Sequence, residues 1–75
     1  MKNDKKYKFK QLGTNIKKLR EKYNLSLEEL SIKTGIRKQY LQKIEDGIAY
    51  GFKISHLEKL AIIFNGNIKS ILKGL

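Results

Sequence analysis

Arg37, Lys38, Gln39, Gln42 and Lys43 fall within about two helical turns. Arg and Lys donate hydrogen bonds to guanine O6 and N7, and a Gln amide can pair bidentately with adenine. On a helix, Lys38, Gln39, Gln42 and Lys43 share one face. These five are the candidate base-reading residues. A solvated helix surface has the same composition, so the face gains meaning only from what positions it. Catalytic chemistry has little to draw on. The chain has one His (His56), no Cys and no phosphate-cradling Gly-rich loop. That also leaves too few ligands for structural zinc. Glu28-Glu29 and Glu45-Asp46 are sequence neighbours, better explained by capping and pairing than by general acid–base work. The expectation is a protein without enzymatic activity, metal or cofactor.

The elements around this face read as short helices. Leu12, Ile16, Leu19 and Tyr23 step by four, three and four, one stripe of a first helix. Asn24 can end it in a left-handed conformation. Ser26-Leu27-Glu28-Glu29 spells a capping box, which starts a second helix over 27–33 with Leu30 inward. Thr34-Gly35 stops it, since Gly takes a positive φ without strain. A third helix, the recognition helix, follows over about 37–46, with Ile36, Leu41 and Ile44 inward and Gly47 closing it. Ser31 is the small residue that lets the second and third helices cross closely. Two short helices joined by a tight Gly-containing turn form a helix-turn-helix pattern.

A fourth helix carries Ile54, Leu57, Leu60, Ala61 and Phe64 on its inner side. Ser55-His56-Leu57-Glu58 offers a second capping box for its start. Asn65-Gly66 breaks the pattern, and Asn67 caps a fifth helix with Ile68, Ile71, Leu72 and Leu75. Residues 1–10 are lysine-rich with Tyr7 and Phe9 as lone apolar anchors. They read as a basic, flexible arm, either a mobile tail or a strand of charge lying on a DNA backbone. The helix-turn-helix domain then covers 11–75.

Composition sets the class of partner. The chain has 75 residues, room for one domain, with a formal charge of +10. That field favours polyanions, nucleic acid first and an anionic membrane surface second. The charge is uneven: residues 1–23 carry +7, residues 24–47 carry zero and residues 48–75 carry +3. No stretch approaches the ~20 apolar residues of a membrane span, and no apolar core follows the basic N-terminus. The cytoplasm is the expected location.

The run from Leu25 to Ile36, the run Tyr40-Leu41-Gln42-Lys43-Ile44-Glu45-Asp46-Gly47, Leu57-Glu58-Lys59-Leu60-Ala61 and Ile16-Lys17-Lys18-Leu19-Arg20 together resemble the phage repressor and Cro type of helix-turn-helix domain. The resemblance covers roughly Leu12 to Leu72 and rests on register across five helices. It implies an all-α, compact five-helix bundle of the lambda-repressor-like DNA-binding type, with the third helix in the major groove of double-stranded DNA. It also implies a structural ion pair between Arg20 and Glu45. That role suits Glu45 better than a DNA contact, because phosphates repel a carboxylate. Lys38 and Gln39 stand where the family's base-reading residues begin. Three positions depart from the family pattern. Leu27 stands where a Gln often contacts phosphate, Arg37 replaces the usual Ser or Thr N-cap, and the Pro before the fourth helix is absent.

Lys17, Lys53 and the amides after Gly47 are the candidate phosphate contacts, which position the protein without reading sequence. Tyr40 joins them, or simply packs beside the helix. The expected function is a transcriptional regulator that represses by occluding a promoter. It would bind a two-fold operator as a homodimer with half-sites one helical turn apart. The apolar C-terminal residues either form that dimer's contact or belong to the core. No effector domain is expected after the fifth helix, so no small-molecule effector is either. Regulation then falls to concentration, a partner or competition for DNA. The rival reading is a protein-interaction module on the same fold, antitoxin-like or an adaptor. RNA is less suited, since single-strand readers display stacking aromatics on a platform.

Overall fold

The computed structural model describes the backbone of residues 4–75 and the side chains from Tyr7 onward. Five helices follow in order: α1 (Asp4–Lys22), α2 (Leu27–Thr34), α3 (Lys38–Glu45), α4 (Ile54–Ile63) and α5 (Ile68–Ile71). No strand occurs among the described residues. Helix α1 packs against α3 and α5, while α2 packs against α3 and α4. Ile16, Leu30, Leu41, Ile44, Leu60, Phe64 and Ile71 are fully buried where these helices meet. The inner stripes expected for the first three helices are therefore the core.

Local chemistry fixes the helix ends. Ser26 Oγ accepts from the Glu29 amide at 3.0 Å, and Glu29 Oε1 accepts from the Ser26 amide at 2.8 Å. Gly35 ends α2 at φ 78°. Three hydrogen bonds tighten the turn to α3. Thr34 Oγ1 donates to the Leu30 carbonyl (2.7 Å) and accepts from the Ile36 amide (3.1 Å), while Ser31 Oγ donates to the Ile36 carbonyl (2.6 Å). Asn24 takes the left-handed φ of 56° after α1. Asn67 Oδ1 accepts from the Ser70 amide and caps α5.

The structure differs from the sequence reading in four places. Residues 4–10, read from the sequence as an arm, are helical and form the first two turns of α1. The physical reason is Phe9, which extends the α1 stripe and meets Tyr50 edge-on, with ring centroids 5.2 Å apart. Residues 1–3 of the expected arm lie outside the described residues. Helix α4 begins after Lys53, not at a Ser55 box: His56 Nδ1 accepts from the Lys53 amide at 2.9 Å. With that start, Ile54 falls in the first turn and is 72% exposed, not inward. Of the C-terminal apolar residues, Ile71 is core, while Ile68, Leu72 and Leu75 stand exposed.

Two residues of α1 hold the bundle in ways the periodicity does not announce. Asn15 is buried, and its Nδ2 donates to the carbonyls of Ile71 (2.8 Å) and Lys73 (2.7 Å). Its Oδ1 accepts from Gln11 Nε2 at 3.0 Å. The C-terminal turn is thereby tied to α1. Gly13 is buried against the end of α3. A Cβ there would collide with the Ile44 carbonyl oxygen and lie 2.7 Å from that of Glu45. Backbone atoms cannot move aside as a flexible side chain can. Gly13→Ala is therefore expected to lower unfolding stability by about 1–3 kcal/mol, the range for overpacking, despite alanine's better helix propensity. Urea denaturation checks this, and an unchanged or raised midpoint would contradict the close approach.

Candidate nucleic-acid interface

Helix α3 presents two sides of opposite character. Leu41 and Ile44 are buried, while Lys38, Gln39, Gln42 and Lys43 are exposed. Lys38, Gln39 and Gln42 line one open surface depression. Arg37 is also exposed and forms the N-cap, with no side-chain hydrogen bond to the helix. Of the sequence-derived base-reading set, Lys38, Gln39 and Gln42 thus come together, Lys43 is exposed on the same helix, and Arg37 lines a second depression with Tyr40, His56 and Lys59. Eight residues at about 1.5 Å each give a rod about 12 Å long, a size that enters a major groove. The stripe is lightly held. Gln42 Nε2 donates to Asp46 Oδ1 at 3.0 Å, and Lys38 Nζ lies 4.0 Å from Glu28 Oε1, with both side chains of that pair exposed. Contacts of this kind are worth little in water and exchange readily for a ligand.

The far end of α3 is anchored firmly. Arg20 Nε donates to Glu45 Oε2 at 2.6 Å and Nη2 to Oε1 at 3.0 Å, a bidentate fork. Arg20 Nη1 also donates to the Leu25 carbonyl at 2.9 Å. The Glu45 side chain is 3% exposed and that of Arg20 is 14% exposed. Glu45 hydrogen bonding and charge raise the Arg20 pKa against the opposing effect of burial. A carboxylate at a helix C-terminus opposes the helix dipole, and the guanidinium offsets that. Arg20→Met leaves Glu45 charged and buried. It is expected to cost about 3 kcal/mol, the low end for breaking a buried pair, and Arg20→Met/Glu45→Leu to regain part of it. Thermal unfolding of both variants decides: a single variant as stable as the wild type removes the anchor.

The candidate phosphate-contact residues fall on three elements. Lys17 is exposed on α1 and Lys53 is exposed at the N-cap of α4. Tyr40 is half-buried, and its ring sits 5.0 Å from that of His56, so it packs beside α4. Leu27 is half-buried against the core and offers no polar atom. The Lys17 and Lys53 side chains have no carboxylate within ion-pair distance among the described residues.

Sequence reasoning missed His56. It lies beside Tyr40 and Phe52, the latter with a centroid separation of 5.5 Å, and it caps α4 through a ring nitrogen that must be unprotonated to accept. A His three residues after a Lys carries no capping signature, so nothing in the residue types flagged it. Burial, then the charges of Lys53 and Lys59, lower its pKa. A folded pKa below the unfolded value means that the unfolded chain binds the proton more readily. The stability His56 contributes is complete above the ordinary value near 6.5 and is lost as pH falls through the lowered one. Denaturation midpoints should therefore fall on acidification from about pH 7 toward pH 5.5 in the wild type and stay flatter in His56→Gln. Parallel profiles would remove the ring from this role.

A family model described as a helix-turn-helix domain matches residues 13–74, nearly the whole chain. The HTH-type transcriptional regulator SinR of Bacillus subtilis (strain 168) is 33% identical over 61 residues, covering 81% of this chain and 55% of its own length. SinR of Bacillus licheniformis gives the same figures. An HTH-type transcriptional regulator of Archaeoglobus fulgidus is 34% identical over 60 residues, covering 80% of this chain and 83% of its own length. The chain therefore spans little more than half the length of the SinR proteins. No solved structure matches. With five helices in the expected register and the family match running through all of them, the chain belongs to the helix-turn-helix domain family, of the phage repressor and Cro type.

Proposed function

We propose that this chain is a sequence-specific, double-stranded DNA-binding transcriptional regulator that represses by occluding a promoter. The observation that carries the reading is the division of α3. Its inner side is locked into the core and its end is held by Arg20, while Lys38, Gln39 and Gln42 face one open depression. A rigid helix with an unobstructed donor-rich stripe suits base edges better than a mobile one, because direct readout needs fixed geometry. Lys43, exposed next to Gln42, and Arg37, exposed at the N-cap, complete the proposed base-reading set. Lys17, Lys53 and Tyr40 flank it as phosphate contacts, with the field of +10 driving approach. Membership of a family that includes HTH-type transcriptional regulators supports the same reading.

One copy covers a short site, so the reading includes two copies on a two-fold operator, about 34 Å apart along the helix axis. Each copy is held by its own DNA contacts. No helix among the described residues is long and apolar enough to cross a membrane.

Binding-site selection on the wild type and on alanine variants tests the division of labour. Lys38→Ala, Gln39→Ala and Gln42→Ala are expected to change which sequence is preferred, at about 1–3 kcal/mol each. Lys17→Ala and Lys53→Ala are expected to weaken all duplexes alike and to reduce the salt slope by about one each. Identical behaviour of the two groups would overturn the assignment. No duplex binding at low salt would overturn the function.

A further inference from the structure

Beside the loop between α3 and α4 lies an apolar groove that the DNA-facing stripe does not use. Its walls include Phe9, Leu12, Phe52 and Leu57, with Leu72 and Leu75 at the C-terminal edge, around an open volume of about 530 Å³. Tyr50, Ile54, Leu72 and Leu75 line it and are exposed to solvent. Apolar side chains that gather in one concave patch, rather than scatter, mark a contact site. Charged side chains are equally one-sided: Lys8 and Lys53 line the groove, and no acidic side chain does so among the described residues.

We propose that this groove docks an amphipathic helical segment of a partner protein, one that bears carboxylates beside its apolar stripe. An open trough with apolar walls fits a helix that sets residues i, i+3, i+4 and i+7 into it. Lys8 and Lys53 select acidic flanks and reject basic ones. A second copy of this chain is the poorer occupant. A two-fold contact sets the patch against a copy of itself, which would gather four lysines and no acidic side chain of the described residues between two chains of charge +10. Among the described residues no Asp or Glu of this chain lines the groove: Glu28 and Glu29 are in the first turn of α2, and Glu45 is held by Arg20.

A consequence follows for DNA, and it rests on the reading under Proposed function. Lys53 is wanted by both a phosphate and a docked carboxylate. Docking then weakens DNA binding, and DNA weakens docking by the same factor. The partner segment acts as an antagonist without touching α3.

Two synthetic helical peptides test the docking directly, without DNA. Both carry Leu at i, i+3, i+4 and i+7; one has Glu at the flanks and the other Lys. Each is titrated into the isotope-labelled chain and followed by NMR. The Glu peptide is expected to bind, with shifts concentrated at Phe9, Tyr50, Leu57 and Leu75. The Lys peptide is expected to bind at least about tenfold more weakly. Lys8→Glu, at an exposed position, should weaken the Glu peptide about fivefold and strengthen the Lys peptide. Leu75→Glu should weaken both. Equal binding of the two peptides, shifts confined to α3, or no binding overturns the proposal. Self-association of the peptide-free chain that Leu75→Glu abolishes overturns it in favour of a second copy. With a duplex present, the Glu peptide should raise the Kd for DNA. If the peptide-free chain binds no duplex, the DNA reading falls and the docking result stands by itself.

Discussion

Gly13 brings α1 against the last carbonyls of α3 so closely that no methyl group fits between them. The contact is a constraint of excluded volume rather than an attraction, and it sets where everything else must lie. With the two backbones this near, Arg20, two turns further along α1, reaches Glu45 with both faces of its fork. On the other side of Gly13, Lys10 lies against Gly47, and Phe9 meets Tyr50. The end of α3 is thus held along more than two turns of α1. Glycine inside a helix is intrinsically unfavourable by about 1 kcal/mol. The rigidity of α3 offsets that cost, because a loosely held helix would present the same side chains without fixed directions.

The turn between α2 and α3 fixes the other end of α3. Ser31 and Thr34 satisfy the polar groups of Ile36, so that its side chain can enter the core. No side-chain acceptor serves the first amides of α3, since Arg37 has none to offer. The Tyr40 and Leu41 amides donate to the Arg37 carbonyl at 3.0 Å, so backbone alone caps this end, with an exposed guanidinium beside it. Leu27 departs from the family's usual polar residue in a compatible way. It packs on the core, and the polar duty at the start of α2 passes to Ser26 and Glu29.

Most of the fold is legible in the sequence because most of it rests on periodicity and capping. Leu12, Ile16 and Leu19 read as one stripe, and Ser26 with Glu29 as a box, from residue types alone. The same holds for Gly35, Asn24 and Asn67. The unread parts share a physical cause: the partner is distant in sequence, or is backbone that any sequence would supply. Phe9 looks like an anchor in a tail until Tyr50, forty-one positions on, arrives beside it. Asn15 donates to two carbonyls, which leave no mark in residue types. Gly13 carries no side chain to read, and its meaning lies in what it omits. At α4 the spelling misleads. Ser55 and Glu58 match the box pattern, but His56 closes onto Lys53 and starts the helix earlier. The reading stripe itself is legible as a face, while its rigidity is visible only in three dimensions.

The charge distribution then has a physical explanation. The segment holding α2 and α3 is neutral, while the flanks carry +7 and +3. Were the positive field concentrated on α3, every duplex would attract it strongly and sequence would matter less, since phosphate attraction is blind to bases. Under the proposed function, placing the excess on α1 and around α4 would leave attraction to Lys17, Lys53 and the general field, and the donors of α3 to discriminate. Gln42 shows the balance in one side chain. Its amide already has Asp46 as a partner at 3.0 Å, so a base edge must offer a better one than that carboxylate. Under the proposed function, a wrong base would leave Gln42 on Asp46 and gain little, whereas a matching one would replace a solvent-exposed bond with a bidentate pair. On that proposal the acidic neighbour at the end of α3 would oppose indiscriminate binding and raise the contrast between right and wrong sequences.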